Sequence, residues 1–230
     1  MPTLNLTRNR VGALVLGLSA VLFFLSPLYV PLNPNEPSGV GALWQTGWLF
    51  ILGMTLFPFG VLVIHGWVAQ RGGGRLALVA LIFQLLAVGP LQVFAGLDTF
   101  GLATLRHYVF QQTGNTETFQ VLQAMMAELM QKATPFPLPF PWSLMGLHSL
   151  LIIGLIVLDI GMIVMVIAVW RTGALSKWAS VLYALGFVLF IVAVFAFPGD
   201  MIRVVDAVIG GVGGVWLAWS LWRQQPSGSA

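Results

Sequence analysis

A single carboxylate stands in the middle of a long apolar run. Asp159 interrupts the run from about Leu144 to Trp170. A carboxylate at the centre of a lipid-spanning helix costs about 2.5–3.5 kcal/mol on insertion scales. Such a residue either lies on an ion, proton or substrate path or joins helices through a hydrogen bond, and both interpretations stay open here. Gln84 lies at a matching depth in another apolar run, and we predict that it is the partner of Asp159.

A second group of charges opens the last apolar run. Arg203 and Asp206 are spaced i, i+3, which places them on one side of a helix. The simpler interpretation is an ion pair that anchors the helix end at the membrane interface. The more specific interpretation is that Arg203 closes an outward-facing pocket and that Asp159 lies at the bottom of this pocket. Gly210 and Gly214 follow with a spacing that is typical of close helix packing in membranes.

The histidines predict no cofactor site. His65 and His148 lie at opposite ends of their apolar runs, which argues against two imidazoles on one haem. None of the histidine spacings that are typical of zinc sites is present. We therefore predict no metal, no cofactor and no catalytic residue. The candidate polar membrane site consists of Asp159, Gln84, Arg203, Asp206 and His148.

The elements that must position these residues are membrane helices. The 230 residues are 58% hydrophobic and 7% charged, with no cysteine, whereas a soluble domain carries roughly 25% charged residues. This composition excludes a soluble enzyme, a disordered chain and a disulfide scaffold. Runs of about 20 apolar residues are long enough to cross a bilayer. We predict a single all-α domain over residues 1–230, a six-transmembrane-helix bundle with spans at about 11–30, 41–68, 76–96, 144–170, 178–197 and 204–222.

The basic residues orient this bundle. If both termini are cytoplasmic, seven of the ten Lys and Arg residues fall on the inner side: Arg8, Arg10, Arg71, Arg75, Arg171, Lys177 and Arg223. Inner loops of membrane proteins carry such an excess of positive charge. Membrane topology thereby explains the excess of basic over acidic residues, so we predict no nucleic-acid partner. We expect the chain in the cytoplasmic (inner) membrane of a bacterium, with the lipid bilayer as its first partner.

The longest segment between predicted spans lies on the outer side. Residues 97–142 contain an amphipathic stripe formed by Phe119, Leu122, Met126 and Leu129. We predict a cap helix there, lying on the outer membrane surface or over the bundle. Alternating prolines between Pro135 and Pro141 favour an extended lead-in to the fourth span.

One segment resembles a known group of proteins. The run from Val169 to Ala179 (VWRTGALSKWA), followed by an apolar helix, is similar to the inner hairpin of uncharacterised bacterial six-span membrane protein families. The layout is similar too, with a long outer loop and then Leu147-His148 opening the fourth span. The resemblance implies a bacterial origin and the six-helix fold. It implies no functional residue, because those families have no settled activity.

Three functions are compatible with these residues. The first is a non-enzymatic membrane protein that binds a hydrophobic small molecule or a partner membrane protein. The second is a proton- or ion-coupled transporter that uses Asp159. The third is an intramembrane enzyme with an outward-facing site, which requires at least two of five side chains to converge: Asp98, His107, Glu117, His148 and Asp206.

Overall fold

A computed structural model describes residues 2–26, 40–96, 99, 121, 147–195 and 200–223. Its side chains are described over 9–26, 47–96, 99, 121, 151–192 and 202–223. This part of the chain is helical and contains no strand. The helices are α1 (Pro2–Leu25), α2 (Val40–Val68), α3 (Gly74–Gly96), α4 (Leu147–Thr172), α5 (Lys177–Phe195) and α6 (Asp200–Arg223).

Three helical stretches are long and apolar enough to cross a membrane: Gly47–Gly96, Leu151–Thr172 and Ile202–Arg223. Asn9–Leu25 and Lys177–Val192 are shorter apolar helices. The first stretch of 50 residues comprises both α2 and α3, which are joined across a kinked turn at Ala69–Gly73. Arg71 and Gly72 in that turn have non-helical backbone angles, and α2 packs against α3.

The helix bounds agree best with the predicted spans in the middle of the chain. α2 and α3 begin close to the predicted residues 41 and 76, whereas α1 begins at Pro2 rather than at residue 11 and α6 at Asp200 rather than at residue 204. Both helices begin earlier than predicted because polar residues extend them beyond the apolar runs from which the spans were predicted. The predicted cap segment, 97–142, lies outside the described residues except for Thr99 and Val121.

The helices pack as a closed ring. Each contacts its neighbour in the chain, and α1 also packs against α6. Glycines allow neighbouring helices to approach closely, and the residues they face show whether the two helices run parallel or antiparallel. On α2, Gly53 faces Phe23 and Gly60 faces Leu16, so α1 and α2 are antiparallel. The equivalent antiparallel contacts join α3 to α4 through Gly154 and Gly161, α5 to α6 through Gly186 and Gly213, and α1 to α6 through Gly17 and Gly214.

Aromatic rings fill the core between α1, α2 and α5. Phe187 of α5 is their centre: its ring centroid lies 4.9 Å from that of Phe23, 5.1 Å from Phe24, 5.9 Å from Phe57 and 5.2 Å from Tyr183. Edge-to-face and tilted aromatic pairs contribute about 0.5–1.5 kcal/mol each beyond their burial. The predicted close packing at Gly210 and Gly214 is confirmed, because these glycines of α6 receive Phe24, Ala20 and Tyr183.

The two turns that close the α2–α3 and α4–α5 hairpins lie side by side. Trp67 at the end of α2 donates its indole N–H to the carbonyl of Ala174 in the second turn, at 3.1 Å. Each turn contains a glycine with positive φ, Gly72 at +85° and Gly173 at +60°. Residues with a Cβ rarely adopt this conformation, so glycine is required for the chain to leave the helix at these points.

Candidate functional site

Gln84 of α3 is buried against α4. Its side chain is 1% exposed, and its amide nitrogen donates to the sulfur of Met162 at 3.0 Å. The contact is close because Gly161 lies opposite and leaves room for the Gln84 stem. The amide oxygen, Oε1, has no hydrogen-bond partner among the described residues.

Asp159 lies on the same helix as Met162, one turn away, but it does not pair with Gln84. The side chain of Asp159 is half-buried, and its Oδ1 has no hydrogen-bond partner in the described part of the chain. No hydrogen bond therefore joins Asp159 to its predicted partner, Gln84. They share a helix pair, but Gly161, which lies directly against Gln84, comes two positions after Asp159, so Asp159 and Gly161 are about 200° apart around α4.

Asp206 of α6 is the most deeply buried charge that the structure describes. Its exposed fraction is 0%, and neither carboxylate oxygen has a hydrogen-bond partner among the described residues. No hydrogen bond joins Asp206 to Arg203: Asp206 points into the bundle on the buried stripe of Gly210, while Arg203 is half-exposed but still attracts the carboxylate electrostatically. Gly210, one turn further along this stripe, touches Gly186 and Phe24.

The remaining sequence-predicted residue, His148, lies in the first turn of α4, and its side chain falls outside the described residues. The structure therefore places four of the predicted site residues in two separate regions. Gln84 and Asp159 belong to the α3–α4 pair, and Arg203 and Asp206 to the start of α6. Where side chains are described, no group of three or more His, Cys, Asp and Glu residues could hold a metal ion.

The larger of two described cavities is an apolar groove between α1 and α6. It encloses about 550 Å³. The wall from α1 is formed by Val21, Phe24 and Leu25, and the wall from α6 runs from Ala207 to Trp219. This stretch of α6 is about 18 Å long at 1.5 Å per residue. Glycine leaves the space open at its middle, because a Cβ on Gly211 would meet only the Cβ of Phe24, at 3.8 Å.

Basic residues and tryptophans gather at one end of the bundle, which we call the basic end. It contains Arg10, Arg71, Arg75, Arg171, Lys177 and Arg223. Four of these cations lie over indole rings: Arg10 over Trp222 at 5.4 Å, Arg71 over Trp67 at 4.4 Å, Lys177 over Trp170 at 5.4 Å and Arg223 over Trp219 at 4.7 Å. Arg203 is the described basic side chain at the opposite end.

A second cavity lies between α1 and α2 near the basic end. It has a volume of about 230 Å³ and includes Asn9, Trp67 and Gln70 in its lining. Asn9 is buried, whereas Gln70 is exposed. This cavity is more polar than the groove, so it does not offer a hydrocarbon-like surface.

The groove and the cation–π pairs were not found by sequence reasoning. The i, i+4 spacings of Trp67 with Arg71 and of Trp219 with Arg223 are local signals that could have indicated two of the pairs. Arg10 and Trp222 gave no such signal, because they are brought together only by the contact between the first and last helices.

Comparisons of the chain with protein-family models, with curated proteins and with solved structures find no match. The geometry of the bundle and its side chains is thus the basis for a functional assignment.

Proposed function

We propose that this chain is a multi-pass protein of a bacterial inner membrane, with six spans and both termini in the cytoplasm. The three long apolar helical stretches support a membrane location. The antiparallel ring supports six crossings, because each helix contacts its chain neighbour and α1 meets α6. The concentration of cations at one end supports the orientation, since cytoplasmic loops are enriched in Lys and Arg.

The function proposed for this bundle is the binding of a hydrophobic small molecule in the α1–α6 groove. The observation that supports this function is the groove itself. It has a volume of about 550 Å³, is lined by aliphatic and aromatic side chains, and is open to the face where lipid would lie. Such a volume is within the range of 300–1,000 Å³ that is typical of ligand pockets. Val208 and Val212 on its α6 wall are exposed, so an apolar ligand would cover hydrocarbon surface that the helices leave loosely packed.

The groove is tested by filling it. Gly211→Leu places a side chain where only Phe24 is near, so we expect the fold to persist and the ligand to be displaced. The matched control is Gly89→Leu on α3, where a Cβ would meet nothing within 4 Å. The purified proteins are equilibrated with phosphatidylcholine and phosphatidylglycerol in equal amounts and examined by native mass spectrometry.

We expect the wild-type protein and Gly89→Leu to retain one lipid molecule under activation that strips the others, and Gly211→Leu to retain none. Equal retention by all three proteins would contradict the groove as a binding site. A partner membrane protein is the other occupant compatible with an apolar groove. It would appear in the same spectra as an added polypeptide mass that Gly211→Leu removes.

A second candidate function, a proton- or ion-coupled transporter, is favoured by one observation. Asp206 is fully buried, and both of its oxygens are without a hydrogen-bond partner among the described residues. Carboxylates held inside a membrane bundle are typical of proton and ion paths. Asp159 would be the second such group, at mid-depth of α4. Neither carboxylate lines the two described cavities, so the groove remains the stronger candidate.

A further inference from the structure

Two arginines lie beyond the basic end of the α6 wall of the groove. Trp219 forms the last part of its α6 wall, and the guanidinium of Arg223 lies over this ring at 4.7 Å. One turn further along α6, Trp222 carries the guanidinium of Arg10 from the facing helix, at 5.4 Å. Two cations, one from each of the helices that form the groove, therefore lie over neighbouring tryptophans at the basic end of α6.

The groove and the arginines lie on one continuous face. On α6, positions 208, 212, 215, 219 and 222 repeat every three or four residues and are all exposed. On α1, the facing stripe continues from Leu25 through Leu18 and Leu14 towards Arg10, and its apolar members are exposed as well. A chain-like molecule that lies in the groove therefore reaches the two guanidinium groups without leaving this face.

The chemistry of this face is that of an amphiphile site. The α6 wall is hydrocarbon and aromatic over about 18 Å, which suits an acyl chain. Guanidinium groups bind phosphate through paired N–H donors. Stacking on Trp219 and Trp222 holds the two guanidinium groups in place at the level where headgroups lie.

We propose that the groove binds one anionic phospholipid of the cytoplasmic leaflet, with an acyl chain between α1 and α6 and its phosphate at Arg10 and Arg223. This inference rests on the proposed function, because it names the ligand class of the same groove. The occupant is a lipid rather than a partner protein because the exposed apolar face of α1 and α6 continues from the groove to the two cations. Net positive charge at that point selects an anionic headgroup.

Other cations at the basic end serve as internal controls. Arg75 and Arg171 are exposed and belong to the α2–α3 and α4–α5 hairpins, away from the groove. Replacing them removes the same number of charges, two, from the same end of the molecule. A difference in lipid preference between the two double variants therefore depends on the position of the charges and not on their number.

The test is the lipid selectivity of the full-length protein. The wild type, Arg10→Gln/Arg223→Gln and Arg75→Gln/Arg171→Gln are equilibrated with phosphatidylglycerol and phosphatidylcholine in equal amounts. The ratio of the two lipids in the most strongly retained position is measured by native mass spectrometry. We expect the wild type and the Arg75/Arg171 variant to prefer phosphatidylglycerol. We expect the Arg10/Arg223 variant to lose about tenfold to thirtyfold of that preference, since each cation near an anionic lipid contributes about a factor of five.

Three results would overturn the inference: equal retention of both lipids by the wild type, an equal loss of preference in both double variants, or an unchanged preference in Arg10→Gln/Arg223→Gln. Retention of both lipids without preference, abolished by Gly211→Leu, would leave the proposed function standing while this inference fails. No retained lipid in any variant would remove both. If the double variant does not fold, Arg223→Gln alone is measured against Arg171→Gln with the same expected direction.

Discussion

At the scale of single residues, the bundle contains polar groups that its own packing does not satisfy. Asp206 leaves both carboxylate oxygens, and Gln84 leaves its amide oxygen, without a hydrogen-bond partner among the described residues. A buried polar group without a partner costs about 1–3 kcal/mol, and a charged group costs more. Among the described residues, no hydrogen bond offsets this cost for these oxygens, and ionisable groups buried inside membrane bundles are often functional.

We expect Asp206→Asn to raise the unfolding temperature of the purified protein in detergent. The substitution keeps the shape of the side chain and removes a fully buried charge whose nearest cation, Arg203, forms no hydrogen bond with it. Asp159→Asn is the matched comparison, and its effect should be smaller because that side chain is only half-buried. A lower unfolding temperature for Asp206→Asn would show that the carboxylate has a partner and stabilises the fold.

The same two variants decide the second candidate function. Proton uptake into proteoliposomes is measured with a pH-sensitive dye under an imposed potential. Flux in the wild type that Asp206→Asn or Asp159→Asn abolishes would establish proton-coupled transport. No flux in the wild type, which the groove-binding function predicts, would remove that candidate.

At the scale of the helices, glycine decides which elements approach closely. A Cβ on Gly213 of α6 would meet backbone atoms of Leu182 and Tyr183 on α5. Backbone cannot move aside as a flexible side chain does, so α5 and α6 must separate if Gly213 is replaced. On α3, by contrast, Gly89 has no neighbour within 4 Å, and it is exposed.

We expect Gly213→Ala to destabilise the protein and Gly89→Ala to stabilise it slightly. Both substitutions gain about 1 kcal/mol of helix propensity, but only the first forces two backbones apart, at a cost of about 1–3 kcal/mol beyond that gain. The difference between their unfolding temperatures isolates the packing at the α5–α6 contact. Equal shifts in the two variants would contradict the close approach of these helices.

The helices could be predicted from the sequence better than their contacts. Apolar runs identify α2 and α3 because a span needs about 20 residues without charge, and depth along the helix follows from the same count. Depth puts Gln84 and Asp159 at a similar level, and the structure has Gln84 against Gly161 and Met162 of the same helix as Asp159. It could not tell which face of α4 meets Gln84, because each position turns by about 100°. The groove was not predictable either, since it depends on the contact between the first and last helices.

At the scale of the whole molecule, the arrangement is a ring of antiparallel helices with its described cations concentrated at one end. The apolar exterior, with Leu14, Leu86 and Ile163 among its exposed side chains, matches a lipid environment. In the proposed orientation, the basic end puts Arg10 and Arg223 at the level of the inner headgroups, beyond the last groove residue of α6, Trp219. The orientation of the ring therefore decides which leaflet the groove meets at its charged end.

The central claim, six spans with the basic end in the cytoplasm, is tested most directly by cysteine accessibility. The chain contains no cysteine, so single substitutions can be labelled without background. Gln70→Cys probes the α2–α3 turn, Ser227→Cys the C-terminal segment, and Asn115→Cys the segment between α3 and α4. Labelling with a membrane-impermeant maleimide is compared in intact and lysed spheroplasts.

We predict that Asn115→Cys is labelled in intact spheroplasts, and that Gln70→Cys and Ser227→Cys are labelled only after lysis. Labelling of Gln70→Cys in intact spheroplasts would contradict the orientation. Labelling of Gln70→Cys and Ser227→Cys from opposite sides of the membrane would contradict the six-span ring.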